Sequence, residues 1–419
     1  MNAKFCRSLT VFAVVLSICT VTFAQSSGFD TARMDRSVEA CDDFFQYANG
    51  SWLKNTQIPS TEARWGTFNM LADSNNAILK DLLDTAAKAK AREGSDTQLI
   101  GDFYATCMDE AAINKAGLDP VKPLLKNIDD VKSIKDLQEQ IAEMHDTGRP
   151  ALFSFGAGPD LKDSNVIIVQ GFQGGLSLPN RDYYTKDDAK SVEIRAKFVE
   201  YMGNMFKLLG DSPDAAAANA KAVMDMQMRL ANASLSPVEL RNPDNRYNKV
   251  SIAAAQEVTP GFSWADYFKE RDVPAVSEMN LAPVKFFREV DTMMKDVSID
   301  HWKTYLRWMT INSAAPALAS QFADEHFNFF NRYLSGQKER QPRWKTCVQA
   351  TDSHLGEALG MEYAKKAFTP AAKARMNELI DNLMAAMKDR INGLEWMSPD
   401  TKKQAQAKLA TFKRKIGYP

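Results

Sequence analysis

Apolar residues recur at helical spacing over 67–90, through Phe68, Leu71, Ile78, Leu79, Leu82 and Leu83, and Gly94 marks the stop. The same period predicts a helix over 97–115, with Leu99, Ile100, Phe103, Tyr104 and Cys107 on one face. A third is predicted over 133–147, capped by Ser133 and ended by Gly148. At Pro150 the period changes. Ala151-Leu152-Phe153-Ser154-Phe155 and the β-branched run Val166-Ile167-Ile168-Val169 read as strands, with the turn formers Gly156 to Asp160 between them. The loop 171–182 follows, and its Gly174-Gly175 pair reads as structural, because no Lys-Ser/Thr and no helix opening accompany it. Helical periodicity then resumes over 192–209 and 214–233, the second with a Met224, Met226, Met228 stripe that suits core filling. The stretch 237–247 is a loop, and further helices are predicted over 251–257, 263–269, 284–294, 299–313, 317–334, 343–367, 371–394 and 399–415. Ser398 caps the last, Pro399 takes its first position, and Gly417 is placed to end it. The fold class is mostly α: a large multi-helix lobe with one small β-hairpin or sheet near residues 150–170.

Composition adds bounds. With 419 residues the chain exceeds the usual single-domain size, and 52 basic against 53 acidic residues argue against a nucleic-acid partner. Lys4 and Arg7 precede an almost wholly apolar run to Ala24, so residues 1–24 read as a signal peptide, too short an apolar run for the roughly 20 residues a span needs. The protein is expected to be exported, periplasmic or extracellular, and membrane-bound only if that segment is retained as an anchor. Of five cysteines, Cys6 and Cys19 fall inside it. Cys41, Cys107 and Cys347 remain, an odd number in an oxidising compartment, so two can pair and one is left over.

Candidate chemistry is sparse. The four histidines are His145, His301, His326 and His354, and none is followed by glutamate, so the zinc-protease signature His-Glu-x-x-His is absent. His354 and Glu357 lie one turn apart with no second histidine nearby, and His301 and His326 read as partly buried among aromatics. No Gly-x-Ser-x-Gly elbow and no Cys-x-x-Cys occurs. The densest block is Cys41-Asp42-Asp43-Phe44-Phe45-Gln46-Tyr47-Ala48-Asn49-Gly50-Ser51-Trp52, followed by Ile58-Pro59 and Arg64-Trp65-Gly66. Its aromatics read as packing.

That block resembles the opening of the neprilysin and endothelin-converting-enzyme family of zinc metalloendopeptidases. Phe103-Tyr104-Ala105-Thr106-Cys107-Met108-Asp109, Leu176-Ser177-Leu178-Pro179 with Arg181-Asp182-Tyr183-Tyr184, Pro342 to Val348, Leu355 to Gly360 and Ile416-Gly417-Tyr418-Pro419 resemble the same family, in order. The resemblance implies that residues 25–419 are the N-terminal, cap-type domain over a substrate chamber. The zinc ligands of the family lie C-terminal to the Ile-Gly-Tyr-Pro segment, so the C-terminal catalytic region would be a missing partner. The complete enzyme would use zinc, and this chain would bind none and be inactive alone. The resemblance also implies a Cys107–Cys347 disulfide and an unpaired Cys41, whose family partner lies near the far C-terminus. Such a bridge closes roughly 240 residues, worth about 5 kcal/mol by chain entropy. Arg64 matches the arginine that binds the C-terminal carboxylate of peptide substrates, a task suited to a planar guanidinium fork. Asn69 stands where members can carry an aspartate in that site, and Asn49 and Ser51 replace the Cys and Gly of mammalian members. The expected function is the substrate-chamber portion of a secreted zinc metalloendopeptidase acting on short peptides. The alternatives are a standalone, non-catalytic peptide-binding or scaffold protein of the cell envelope, or a truncated gene model.

Overall fold

The structure, a computed structural model, describes residues 30–418. The signal segment assigned to residues 1–24 lies outside them. Two compact units divide at Pro59 and Ser60.

The smaller unit is organised by one carboxylate. Asp35 accepts from Ser37 N at 3.1 Å and pairs with Lys54 Nζ at 2.5 Å, and Lys54 together with Ser37 holds its carboxyl down at about 2. Lys54 sits in the last turn of the helix Phe44–Asn55, which Asp43 caps by accepting from Gln46 N at 2.9 Å. Gly50 is required where this helix passes Asp35, since a Cβ there would stand 2.7 Å from the Asp35 Cβ. The packing role predicted for the aromatics is not met by Phe44 and Phe45, which are 69% and 64% exposed.

In the larger unit the predicted hairpin is part of a four-stranded mixed sheet. β1 (Phe153–Pro159) pairs antiparallel with β2 (Ile167–Gln173), and β2 pairs in parallel with β4 (Glu278–Ala282). The short β3 (Lys249–Ser251) pairs antiparallel with β4. Gly156, Gly158 and Pro159, expected as a turn, lie within β1 opposite Gln170, Ile168 and Ile167. β4 is buried at four of five positions, so it lacks the alternation that marks a half-buried strand. Its one buried amide fits the sheet: Asn280 accepts from Asn248 N at 2.7 Å and donates to Arg246 O at 2.9 Å.

Seventeen helices carry most of the remaining described residues. The predicted 97–115 helix is two, Asp96–Met108 and Glu110–Ala116, because Asp109 turns out of helix and its carboxylate caps the second through Ala112 N at 2.9 Å. The predicted 317–334 helix becomes Ser320–His326 followed by a π-helical turn, Phe327–Leu334. The last helix stops at Ala410, so Gly417 does not end it; Ser398 caps its start through Thr401 N at 3.2 Å. Lys122–Asp129 is a helix that the periodicity did not single out. The helix over 133–147 is Ile134–Asp146, and Ser133 forms a capping box with Asp136.

The main core stacks Trp264, Trp302, Trp308, Tyr267, Tyr305 and Phe198 between sheet and helices, with Met224 and Met226 filling as predicted. The Gly174-Gly175 pair is structural: Gly175 has φ +74, and a Cβ would meet Leu152 O and Tyr305 Oη, each at 2.6 Å. A smaller core joins Leu83, Ile100, Tyr104, Cys347 and Leu359.

The histidines divide. His301 is exposed near the start of the helix Ile299–Ala314, not among aromatics as expected. His326 lies against Phe330 in a tilted pair with ring centroids 4.7 Å apart, and burial pulls its pKa from 6.5 to about 4. Burial, and then the Arg271 guanidinium, pull His145 to about 4 as well. The unfolded chain therefore binds more protons than the folded one between about pH 6.5 and 4, and stability is lost as pH falls through that window. Urea melts should show unfolding free energy dropping by up to about 1.4 kcal/mol per pH unit for each imidazole. His326→Phe should remove its share of that slope; an unchanged slope would refute the assignment.

Candidate functional site

The segment 60–66 enters the helix Thr67–Lys88 through Gly66, whose backbone is fully extended and offers no side-chain cap. Residues 338–345 hold it in place. Ser60 O accepts from Lys338 N at 3.0 Å and Glu339 N at 2.9 Å, and Ser60 Oγ donates to Glu339 Oε2 at 2.7 Å. Glu62 Oε1 accepts from Gln341 Nε2 at 3.0 Å and from Lys345 Nζ at 2.7 Å. Lys345 Nζ also meets Asp73 Oδ1 at 2.5 Å, so one ammonium ties the segment, the helix Thr67–Lys88 and the helix Arg343–Ala367. Only 9% of the Lys345 side chain is exposed. Its two carboxylates outweigh burial, and its pKa is raised.

Between Glu62 and Gly66 stands Arg64, exposed, with no hydrogen bond or ion pair to any described residue. Asn69 is half-buried in the first turn of the helix, and no hydrogen bond joins it to Arg64 among the described residues. On that helix Phe68 is 88% exposed and Leu71 56%, three residues apart and so on one face. The arrangement is a held loop that carries an uncommitted guanidinium and leads into a helix with exposed apolar side chains. Such a pair can take an anionic group attached to an apolar one.

Cys107 and Cys347 are bonded, with Cα atoms 5.7 Å apart, and Arg343 donates twice to Cys107 O beside the bridge. Cys41 is a free, exposed thiol in the smaller unit. His354 is exposed, lies against the Phe103 ring at 5.5 Å and meets Ala350 O through Nδ1 at 2.8 Å. Among the described residues no three His, Cys, Asp or Glu side chains are grouped to hold a metal ion, so they do not fit a zinc site. Nor is any helix there long and apolar enough to cross a membrane. Sequence reasoning missed Glu62, Asp73 and Lys345. Lys345 was visible beside Cys347, but a lysine in a helical pattern carries no mark of burial.

The sequence matches the family model described as peptidase family M13 over residues 40–419. The chain belongs to peptidase family M13. Among curated M13 relatives, endothelin-converting enzyme 1 of Rattus norvegicus is 29% identical over 398 residues, covering 92% of this chain and 52% of that protein. The Homo sapiens protein of the same name is 29% identical over 398 residues, covering 92% and 51%. Among solved structures, the Mycobacterium tuberculosis zinc metalloprotease Zmp1 in complex with an inhibitor superposes with a TM-score of 0.86 at 30% identity, covering 93% of this chain and 61% of that one. This chain thus spans about half the length of the curated relatives it matches.

If the ammonium fixes the Arg64 loop, Lys345→Met should cost about 3 kcal/mol, because it strands the largely buried Glu62 carboxylate. Pairing it with Glu62→Leu should recover most of that loss in denaturant melts. Two additive losses would show the pair to be uncoupled.

Proposed function

We propose that this M13 chain is the peptide-recognising, helical portion of an exported zinc metalloendopeptidase acting on short peptides, and that Arg64 takes the C-terminal carboxylate of the bound peptide. The observation that carries the reading is the contrast at 60–66. Ser60 and Glu62 are locked to the segment 338–345, while Arg64, two residues after Glu62, is exposed and unpaired among the described residues. Family membership supports the peptidase assignment. A recognition arginine gains from such framing, since less freedom is lost when the ligand docks. Phe68 and Leu71 suit the apolar side chains of a peptide. Asn69, uncharged, leaves the guanidinium without a neighbouring carboxylate to orient it, so the loop itself sets its direction. The zinc chemistry belongs to a His-Glu-x-x-His segment, which these 419 residues do not contain. Export accords with the apolar run before Ala24 and with the disulfide.

Two outcomes test this. A fluorescent short peptide with a free C-terminal carboxylate should bind the chain, and Arg64→Gln should weaken it about tenfold or more, as losing a charged hydrogen bond does. The amidated peptide should not respond to Arg64→Gln; equal binding of the acid to both proteins would sink the assignment. The purified chain should also carry far less than one zinc per molecule by elemental analysis and hydrolyse no peptide. Stoichiometric zinc with chelator-sensitive turnover would overturn the division of labour.

A further inference from the structure

A second arginine-lined feature lies away from Arg64 and does not rest on the reading of that residue. Beside the sheet, the C-terminal end of the helix Ile134–Asp146, the start of β1 and the loop 173–181 enclose a cleft of about 550 Å³. Arg149 and Arg181 both line it, and no aspartate or glutamate does. The rest of its lining is largely apolar and includes Phe155, Leu178 and Leu235, with the almost wholly buried Phe153 at its edge.

Both guanidiniums are fixed from behind. Arg149 donates through Nε to Thr147 Oγ1 at 2.9 Å and pairs through one terminal nitrogen with Glu143, itself held by Gln140. Arg181 donates to Ser234 O at 2.9 Å and stands 4.0 Å from Glu239. Each still has a donor nitrogen that finds no acceptor among the described residues although it is buried: Nη1 of Arg149 and Nε of Arg181. Buried donors of charged groups are rarely left without a partner, because each costs more than a neutral one. Side chains held this firmly, with bonding capacity left over and an apolar wall beside them, form a built recess for a ligand. Glu143 and Glu239 offset part of the charge, which leaves the fork geometry to supply selectivity for a planar or tetrahedral oxyanion.

We propose that this cleft is a second binding site, for a small organic anion whose carboxylate or phosphate meets Arg149 and Arg181 while its apolar part lies against Phe155 and Leu235. Titration calorimetry in an Arg64→Gln background tests it with N-acetylphenylalanine, its neutral amide and phenyl phosphate. The acid or the phosphate ester should saturate one site per chain, and the stronger of the two identifies the anion; the amide should bind at least tenfold more weakly. Arg149→Gln and Arg181→Gln should each weaken the anion about tenfold or more. Where Arg181→Gln fails to fold by circular dichroism, Arg181→Lys takes its place and should lose several-fold, since it keeps the charge but not the fork. Absence of saturation, equal binding of acid and amide, or variants that bind as the parent does would each overturn the site.

Discussion

Lys345 carries its charge into the interior, and the carboxylates that meet it there, Glu62 and Asp73, come from a segment almost three hundred positions away in the chain. An ammonium in that position is tolerable only while both partners stay. The backbone bonds from Lys338 and Glu339 to Ser60 act on the same segment, and the Cys107–Cys347 bridge fixes the next turn of the same helix. These constraints reinforce one another. Lys345 and the backbone bonds hold residues 60–66 to the segment 338–345, the bridge ties the helix Arg343–Ala367 to the helix Asp96–Met108, and none of them uses Arg64. A loop made rigid by its neighbours can leave one guanidinium free without that freedom spreading to the backbone.

The main core follows a parallel logic with neutral groups. Gln227, fully buried, donates to Ser177 Oγ at 2.7 Å and accepts from Tyr184 Oη at 2.7 Å. Trp308 donates to the same hydroxyl at 2.9 Å, and Tyr305 donates to Gly175 O at 2.9 Å. The glycine loop after β2 is therefore a polar node inside an aromatic core, with every participant paired. Networks of this kind fix one arrangement among many that an aromatic core alone would allow. That loop leads directly to Arg181, so the node sets the direction in which one wall of the cleft faces.

What the sequence revealed, and what it hid, divides along the range of the interactions. Helices such as Thr67–Lys88 and Ile134–Asp146 were legible because their apolar spacing and caps are local. The break at Asp109 was hidden because an aspartate at that position competes for the backbone as a cap, which apolar spacing does not register. β4 was hidden because a strand buried on both faces loses its alternation, and β3 because three residues carry too little pattern. Arg64 was named through a family resemblance; composition alone would have left it a surface charge. The residues that frame it could not be named at all. Glu62 and Lys345 become partners only through tertiary structure, and a charged residue read along the chain is assigned to solvent by default.

Arg64 and the Arg149–Arg181 pair show two ways a guanidinium becomes available to a ligand. Arg64 is exposed, so water already satisfies its donors, and a ligand must displace that water for a modest net gain. In the proposed role its selectivity would come from the framing of the loop and from the exposed Phe68. Arg149 and Arg181 are tied to Glu143, Thr147 and Ser234, and the nitrogens left over are buried with no acceptor among the described residues. An acceptor that reaches the pair competes with less solvent, but it meets guanidiniums whose charge nearby carboxylates already share. The first arrangement is the one expected of the proposed capture of chain ends from solution. The second suits a small ligand that fits the recess, because geometry there does what net charge cannot.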